Sequence, residues 1–181
     1  MQQFRRILVL GGARSGKSRR AQELVETSGL DRVFIATAQA HDEEMTARIA
    51  AHRAERGPGW VTREAPFDLP QVVESETMPG RAVLVDCLTL WLSNVLLAEQ
   101  DIDTQVAHLA EAIVKAQSPL VLVSNEVGCG IVPATSLGRR FRDAHGRLNQ
   151  RVAEVCDAVV LVTAGCPILV KPSPRLDIAL A

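Results

Sequence analysis

A glycine-rich stretch near the start of the chain, "LGGARSGKSRR" at 10–20, constrains the fold more than any other feature. It follows the apolar run "RILVL" at 6–10 and precedes a pattern typical of an amphipathic helix. Four residues of the stretch fit the pattern G-x-x-x-x-G-K-[ST], namely Gly11, Gly16, Lys17 and Ser18. The sequence therefore predicts a β-strand, a tight loop and a helix in immediate succession.

The residue types in this loop favour phosphate binding. The glycines let the backbone curl so that several N–H groups point at one anion, and the positive end of the following helix adds to the attraction. Lys17 can reach the β- and γ-phosphates of a nucleotide, and the Ser18 hydroxyl can enter the coordination shell of Mg²⁺. An ordinary glycine turn gives no reason for the Lys–Ser pair, so the loop predicts a P-loop.

The rest of the chain alternates short β-branched runs with longer helical patterns, which is typical of a parallel sheet covered on both faces. The predicted strands are 6–10, 32–37, 60–64, 82–86, 119–124 and 157–163, with a return strand at 167–171. The predicted helices are 17–27, 42–56, 88–99, 103–117 and 136–155. We expect one α/β domain over 1–181, with a loosely docked tail at 172–181.

Composition excludes several classes of function. The net charge is −1, from 20 basic and 21 acidic side chains, and aromatic residues make up 3% of the chain. This composition argues against an overall electrostatic affinity for nucleic acid and against base stacking, and it leaves a local basic patch open. No apolar run approaches the ~18 residues of a membrane span. The four cysteines are widely spaced, and we expect reduced, mostly buried thiols in a cytoplasmic protein: Cys87, Cys129, Cys156 and Cys166.

Asp86 closes the predicted strand 82–86 and is the candidate for a second Mg²⁺ ligand beside Ser18. A carboxylate at the end of a neighbouring strand can hold the metal directly or through water. The alternative is that Asp86 caps the helix that starts near Leu88. One side chain cannot readily fill both roles.

The predicted helix at 42–56 contains a histidine, His52, on the same face as Met45 and Ile49. A histidine on such a face is more often a residue at the rim of the core than a catalytic residue. Here Arg48 lies one turn before His52, and arginines follow it at 53 and 56. Nearby cations disfavour the imidazolium form and can also neutralise a phosphate, which suits nucleotidyl transfer to a ring nitrogen. A solvated helix face is the alternative.

Several motifs together resemble a known family: "GGARSGKS", "IATA", "DEEMTARIAAHRAERG-x-x-W", "VDCLTLWLSN", "VSNEVGCGIVP" and "RFRDAHGRLNQRVAEVCD". In this order they resemble the bifunctional adenosylcobinamide kinase/adenosylcobinamide-phosphate guanylyltransferases of cobalamin biosynthesis. The resemblance spans residues 7 to about 171. It implies that ATP or GTP phosphorylates the aminopropanol hydroxyl of adenosylcobinamide. GTP then gives GMP to an enzyme histidine, and the cobinamide phosphate takes the GMP to form adenosylcobinamide-GDP.

The resemblance also implies the site. His52 matches the guanylylated histidine, with His41 as its local rival, and Lys17 is catalytic. The implied nucleotide contacts are Gly11, Gly12, Ala13, Arg14, Ser15, Gly16, Lys17, Ser18, Ala36, Thr37, Ala38, Arg53, Ala54, Glu55, Arg56, Glu64 and Asp86. The resemblance implies a RecA-like fold and a homotrimer. It also implies that the partners are GTP, ATP, adenosylcobinamide and its phosphate.

The second half of the chain is less specific. Asn125 and Glu126 follow a predicted strand, at the edge where parallel sheets bind ligands. Their loop either helps to form the acceptor side or is a structural glycine loop, and Glu126 is a candidate general base. Two further histidines, His108 and His145, have no partner residues in the sequence and are expected on the surface.

Two other functions remain open from the residues alone. One is a P-loop kinase for a small molecule that forms no covalent nucleotide intermediate. The other is a RecA-like ATPase or nucleic-acid-binding module, whose binding would weaken steeply with salt. The even charge and the scarcity of aromatic residues count against the second.

Overall fold

The structure is a computed structural model that describes residues 3–40 and 42–173. It contains a seven-stranded sheet built from β1 (Arg6–Gly11), β2 (Asp31–Ala36), β3 (Trp60–Glu64), β4 (Arg81–Asp86), β5 (Leu120–Asn125), β6 (Ala158–Thr163) and β7 (Cys166–Lys171). The strand order is β3-β2-β4-β5-β1-β6-β7. All neighbouring strands are parallel except β6 and β7, which form the predicted antiparallel hairpin. The expectation of a mostly parallel α/β sheet in a single domain is confirmed.

In the residues that the structure describes, six helices connect the strands: α1 (Lys17–Glu26), α2 (Glu43–Arg56), α3 (Leu69–Glu76), α4 (Leu88–Leu97), α5 (Ile102–Lys115) and α6 (Ser136–Val155). Successive strand residues point to opposite faces of the sheet. Leu8 therefore joins a core with α3, α4, α5 and α6, whereas the adjacent Val9 joins a second core with α1. Helices cover both faces of the sheet, as predicted.

Helix α3 was absent from the sequence prediction. It has eight residues, "LPQVVESE", and buries Leu69 and Val73 in the larger core. The segment is too short for a clear helical period, and Pro70 in its first turn reads equally well as part of a loop. Tertiary burial of these apolar side chains, which is invisible in the local pattern, stabilises the helix.

The thiols differ in part from expectation. Cys87 and Cys156 are buried, but Cys129 and Cys166 are exposed. All four are free, as predicted. No helix in the described ranges is long and apolar enough to cross a membrane. The predicted tail lies mostly outside the described residues, which end at 173.

Candidate active site at the carboxyl edge of the sheet

The register of the parallel strands places several predicted site residues side by side. Glu64 pairs with Ala36, and Ala36 pairs with Asp86. On the other side of β5, Gly11 pairs with Asn125. These residues end their strands at the carboxyl edge, where open parallel sheets bind ligands. A cleft of about 890 Å³ opens over this edge.

The P-loop forms one wall of the cleft. An added Cβ at Gly11 would lie 2.6 Å from the carbonyl oxygen of Val162, so only glycine allows this close approach to β6. Gly16 has a φ of 94° and precedes α1 without any side-chain cap, which leaves the first N–H groups of the helix for a ligand. Lys17 Nζ donates a hydrogen bond to the Gly12 carbonyl at 3.3 Å. The loop has the shape that phosphate binding requires.

The Ser15 hydroxyl supports this interpretation. It is buried in the wall of the cleft, and no residue in the described part of the chain forms a hydrogen bond with it. A buried polar atom without a partner costs about 1–3 kcal/mol, so such an atom at a ligand site indicates that the ligand supplies the bond. A phosphate oxygen in the P-loop has the chemistry to do so.

The two predicted Mg²⁺ ligands face each other. Burial raises the pKa of Asp86 above its ordinary value, and the nearby Ser18 hydroxyl acts in the opposite direction, as do His52, Lys17 and Arg56. A hydroxyl and a carboxylate are hard oxygen ligands of the kind that Mg²⁺ prefers, with substrate phosphates completing the shell. Among the described residues no group of three or more His, Cys, Asp or Glu side chains could hold a metal without such help.

Asp86 does not cap the following helix. The N-cap position of α4 is Cys87, and its side chain forms no capping hydrogen bond. The alternative role suggested by the sequence is thus excluded. The Asp86 carboxylate is left facing Ser18.

Helix α2 forms the wall opposite the P-loop. Asp42 caps its N-terminus, accepting a hydrogen bond from the Met45 N–H at 2.7 Å, and Gly57 ends it with a φ of 68°. His52 is half-buried and lines the cleft together with Met45 and Ile49. The predicted shared face of these three residues is therefore confirmed, and it faces the P-loop cleft rather than the core.

The arginines around His52 have different surroundings. Arg53 lines the cleft and is exposed, whereas Arg56 is 8% exposed and lies against Phe34. Burial lowers the pKa of Arg56, with a further contribution from the charge of Arg53. The side chain of Arg48, and His41 as a whole, lie outside the described parts of the structure.

The cleft brings together most of the predicted nucleotide contacts. Those that line it are Arg14, Ser15, Gly16, Lys17, Ser18, Ala36, Ala38, Arg53, Glu55, Arg56, Glu64 and Asp86, and the predicted catalytic residue His52 lines it as well. Those that do not line it are Gly11, Gly12, Ala13, Thr37 and Ala54. Gly11 and Gly12 instead shape the loop, through the close approach and the lysine contact described above.

Thr37 has a structural role in this arrangement. It is fully buried, and its hydroxyl donates to the Cys87 carbonyl at 2.7 Å and accepts from the Cys87 N–H at 2.9 Å. Its own carbonyl accepts a hydrogen bond from Asn94 Nδ2 at 2.9 Å. Thr37 therefore fixes the backbone beyond Asp86 and orients the end of β4.

The prediction that His145 lies on the surface is wrong. The side chain is fully buried, with Nε2 3.0 Å from Thr89 Oγ1. The signal was present in the sequence, because His145 lies three and seven residues before two apolar residues of α6, Leu148 and Val152, that face the core. His108 is exposed, as predicted.

Sequence reasoning also missed Thr89 as a residue of the site. It lines the cleft, as does Asn125, whose backbone N–H donates to Thr89 Oγ1 at 2.9 Å. Glu126 does not line the cleft, and its carboxylate accepts a hydrogen bond from the Gly128 N–H at 2.7 Å, which orders its own loop. Its suggested role as general base remains a prediction.

The sheet, the loop and the cleft together define a P-loop nucleotide-binding protein. Two solved structures share this fold. A protein of Pyrococcus horikoshii OT3 has a TM-score of 0.53 and 12% sequence identity, and the match covers 97% of this chain and 89% of that chain. An ATPase of a bacterial type III secretion system has a TM-score of 0.51 and 11% sequence identity, and the match covers 88% of this chain and 51% of that chain. The chain belongs to the cobinamide kinase / cobinamide phosphate guanyltransferase family, whose sequence profile matches residues 7–170.

Two relatives support this membership over nearly their whole length. The bifunctional adenosylcobalamin biosynthesis protein CobP of Pseudomonas aeruginosa is 48% identical over 171 residues, which cover 93% of this chain and 99% of the relative. The protein CobU of Salmonella typhimurium, described in the same terms, is 39% identical over 180 residues, covering 91% and 99%. The resemblance stated from the motifs is confirmed.

Proposed function

We propose that this chain performs two successive reactions of cobalamin biosynthesis. It phosphorylates the aminopropanol hydroxyl of adenosylcobinamide with ATP or GTP, and it then transfers GMP from GTP to the resulting phosphate to give adenosylcobinamide-GDP. Membership of the kinase/guanyltransferase family supports both activities. The observation that carries the proposal is that one cleft holds both the P-loop and the His52 face of α2.

The kinase step uses the P-loop side of the cleft. The N–H groups of the loop and Lys17 bind the triphosphate. Ser18 and Asp86 would hold Mg²⁺, which would neutralise charge developing on the phosphate oxygens. The substrate hydroxyl oxygen forms a bond to the γ-phosphorus as the bond to the β-phosphate oxygen breaks. The proton of the hydroxyl leaves to a base. Catalysis here is mainly positioning and electrostatic stabilisation.

The transferase step uses the wall of the cleft that α2 forms. An unprotonated ring nitrogen of His52 attacks the α-phosphorus of GTP, and pyrophosphate leaves. Arg53 and Arg56 line the same region and neutralise the nucleotide phosphate. A phosphate oxygen of cobinamide phosphate then attacks the GMP phosphorus and displaces the histidine. The covalent intermediate keeps the nucleotide activated until the acceptor arrives.

We also infer a homotrimer in the cytoplasm. Exposed apolar side chains support self-association, namely Ile168, Leu169 and Val170 on β7 and Ile131 and Val132 in the loop before α6. The free cysteines suit a reducing compartment. Sedimentation equilibrium tests the assembly, since a trimer has three times the chain mass of 19.6 kDa. A monomer mass would contradict it.

Labelling with GTP carrying a radioactive α-phosphate tests the transferase half. The native chain should become labelled, with the acid lability of a phosphoramidate, and cobinamide phosphate should remove the label. His52→Ala should abolish labelling, and His108→Ala, which changes an exposed histidine on α5, is the matched control. A native chain that phosphorylates cobinamide but never becomes labelled would be a kinase alone.

Peptide mapping identifies the labelled residue. Trypsin cleaves after arginine, and Arg48 separates His41 from His52, so the two candidates fall on different peptides. Digestion at neutral pH preserves the bond. Label on a peptide that lacks His52 would refute the assignment.

A further inference from the structure

A buried polar cluster lies behind the cleft and has no part in the reactions described above. It joins α6 to the end of β5 and the start of α4, and its members are Thr89, Ser124, Asn125, His145 and Asn149. Ser124 and His145 are fully buried, whereas Thr89 and Asn125 reach the cleft. Polar groups are costly to bury without hydrogen bonds, so the bonds within the cluster define how each member is oriented.

The carbonyl of Asn125 fixes the orientation of Asn149. A carbonyl only accepts hydrogen bonds, so the nitrogen of the Asn149 amide, Nδ2, faces it at 3.0 Å. The amide oxygen then accepts from the Ser124 hydroxyl at 2.7 Å. Nδ2 also lies 3.4 Å from His145 Nδ1. Because Nδ2 can only donate, His145 Nδ1 is the acceptor, and the ring proton is on Nε2.

Burial lowers the pKa of His145, which agrees with a neutral ring of this tautomer. The Nε2–H donates to Thr89 Oγ1 at 3.0 Å, with Ser124 Oγ 3.3 Å away as a second acceptor. The Asn125 N–H donates to the same Thr89 oxygen at 2.9 Å. Both lone pairs of the Thr89 hydroxyl are therefore occupied.

The Thr89 hydroxyl has only its proton left to share. No oxygen acceptor for this proton occurs in the described ranges 3–40 and 42–173, and its neighbour is the sulfur of Cys87, a weak acceptor. Thr89 and Cys87 both line the cleft, so the hydroxyl proton lies at its wall and can turn from the sulfur toward a bound ligand. An oxygen atom of that ligand is a stronger acceptor than sulfur.

The position of Thr89 indicates which oxygen atom of the ligand accepts this hydrogen bond. Thr89 lies in the first turn of α4, just after Asp86, and β5 separates this edge from the P-loop strand. The loop encloses the α- and β-phosphates, so a donor that reaches over from α4 meets the phosphate that extends beyond the loop. No side chain caps the N-terminus of α4, which leaves this end of the helix favourable to an anion.

We propose that Thr89 donates a hydrogen bond to an oxygen of the terminal phosphate of the bound nucleoside triphosphate, and that His145 and the Asn125 N–H position its hydroxyl. The proposal rests on the nucleotide site of the proposed function. It adds a residue that distinguishes a triphosphate from a diphosphate.

Nucleotide affinities test the proposal, measured by titration calorimetry in a His52→Ala background so that no covalent transfer occurs. Thr89→Val should weaken binding of Mg·GTP about tenfold, as expected for loss of a hydrogen bond to a charged group. Mg·GDP affinity should stay within about twofold, since GDP lacks the phosphate concerned. Thr89→Ser, which retains the hydroxyl, is the matched control and should keep the native affinity ratio.

The positioning role of His145 is tested by the same ratio. His145→Leu removes the donor to Thr89 and should lower the GTP-to-GDP affinity ratio, whereas His145→Gln retains an N–H donor and should restore it. Equal weakening of GTP and GDP by Thr89→Val, or no change in either, would overturn the proposal. So would a loss confined to the KM for cobinamide, which would assign the hydroxyl to the acceptor alcohol. A native chain that binds neither nucleotide would overturn the proposed function as well.

Discussion

The guanidinium carbon of Arg56 lies 3.5 Å from the centre of the Phe34 ring, so an arginine at the end of α2 stacks on an aromatic side chain of β2. The same guanidinium approaches the Thr62 hydroxyl at 3.5 Å. Both contacts lie in the cleft. They hold the positive charge of Arg56 beside the proposed nucleotide phosphates, although the side chain is mostly buried.

We expect Arg56→Lys to lower the rate of GMP labelling about tenfold, because a lysine ammonium cannot reproduce the planar stack and the forked donors of arginine. Arg32→Lys is the matched control, since Arg32 lies 5.6 Å from the centre of the Trp60 ring and does not line the cleft. Initial labelling rates at saturating GTP provide the measurement. Equal losses in both variants would show that the stack is merely structural.

The two adjacent glycines of the P-loop should respond differently to alanine. Gly11→Ala places a Cβ 2.5 Å from Ser15 Oγ and 2.6 Å from the Val162 carbonyl, whereas Gly12→Ala meets nothing within 4 Å. Overpacking of this kind costs about 1–3 kcal/mol, so Gly11→Ala should reduce the free energy of unfolding by that amount and weaken nucleotide binding. Urea denaturation checks this. Gly12→Ala should unfold like the native chain.

Asp86→Asn should lower Mg²⁺-dependent activity about a hundredfold or more. The substitution should also change how the free energy of unfolding depends on pH. Because burial raises the pKa of Asp86, the folded chain binds more protons than the unfolded chain above the ordinary aspartate value of about 3.9. The native free energy of unfolding therefore falls as pH rises from there through the folded pKa.

The asparagine has no such proton, so the stability of Asp86→Asn relative to the native chain should increase across the same pH interval. Urea unfolding of both proteins at several pH values between 4 and 8 measures the difference. A difference that is independent of pH would contradict the burial of an ionisable carboxyl at this position.

Thr37→Val should destabilise the fold more than it weakens nucleotide binding. The substitution leaves the N–H and the carbonyl of Cys87 without their shared partner, at a cost of about 2 kcal/mol. Thr37→Ser retains the hydroxyl and should recover most of that stability. Thermal unfolding with and without GTP separates the two effects. A Thr37→Val variant of native stability that no longer binds GTP would instead assign Thr37 to the nucleotide site.

The buried histidine should make the fold sensitive to mild acid. Burial lowers the pKa of His145, so the unfolded chain binds the extra proton first as pH falls below about 6.5. The free energy of unfolding of the native chain should therefore decline from that pH downward until the folded ring is also protonated. His145→Gln should show a smaller decline between pH 7 and 5, measured by urea denaturation. Identical slopes would contradict a buried neutral ring.

Local patterns in the sequence were sufficient for the main elements of the fold. Period-two and continuous apolar runs predicted every strand of the sheet within a residue or two, and the hairpin at β6 and β7 followed from a short apolar return run. These patterns succeed because burial of a strand or a helix face is encoded in neighbouring residues. Helix α3 was missed because eight residues are too few to establish a period.

In the candidate site, too, local patterns predicted some features and long-range packing decided others. The spacing of Gly16, Lys17 and Ser18 determined the P-loop by itself, since the bonds of such a loop are made within a few residues. The helical spacing of Met45, Ile49 and His52 fixed their common face but left open what that face meets. The structure decided that it meets the cleft, where it lies together with the P-loop, a segment distant in the sequence.

Only the tertiary structure decided the roles of Thr37, Thr89 and His145. The hydrogen-bond partner of Thr37 lies 50 residues away in the sequence. Thr89 and His145, which bond to each other, are 56 residues apart. No local pattern encodes which polar side chains meet across such distances, because strand order and helix packing bring them together. The sequence by itself determined the P-loop, the strands and the family, whereas packing determined which buried polar groups hold the site in shape.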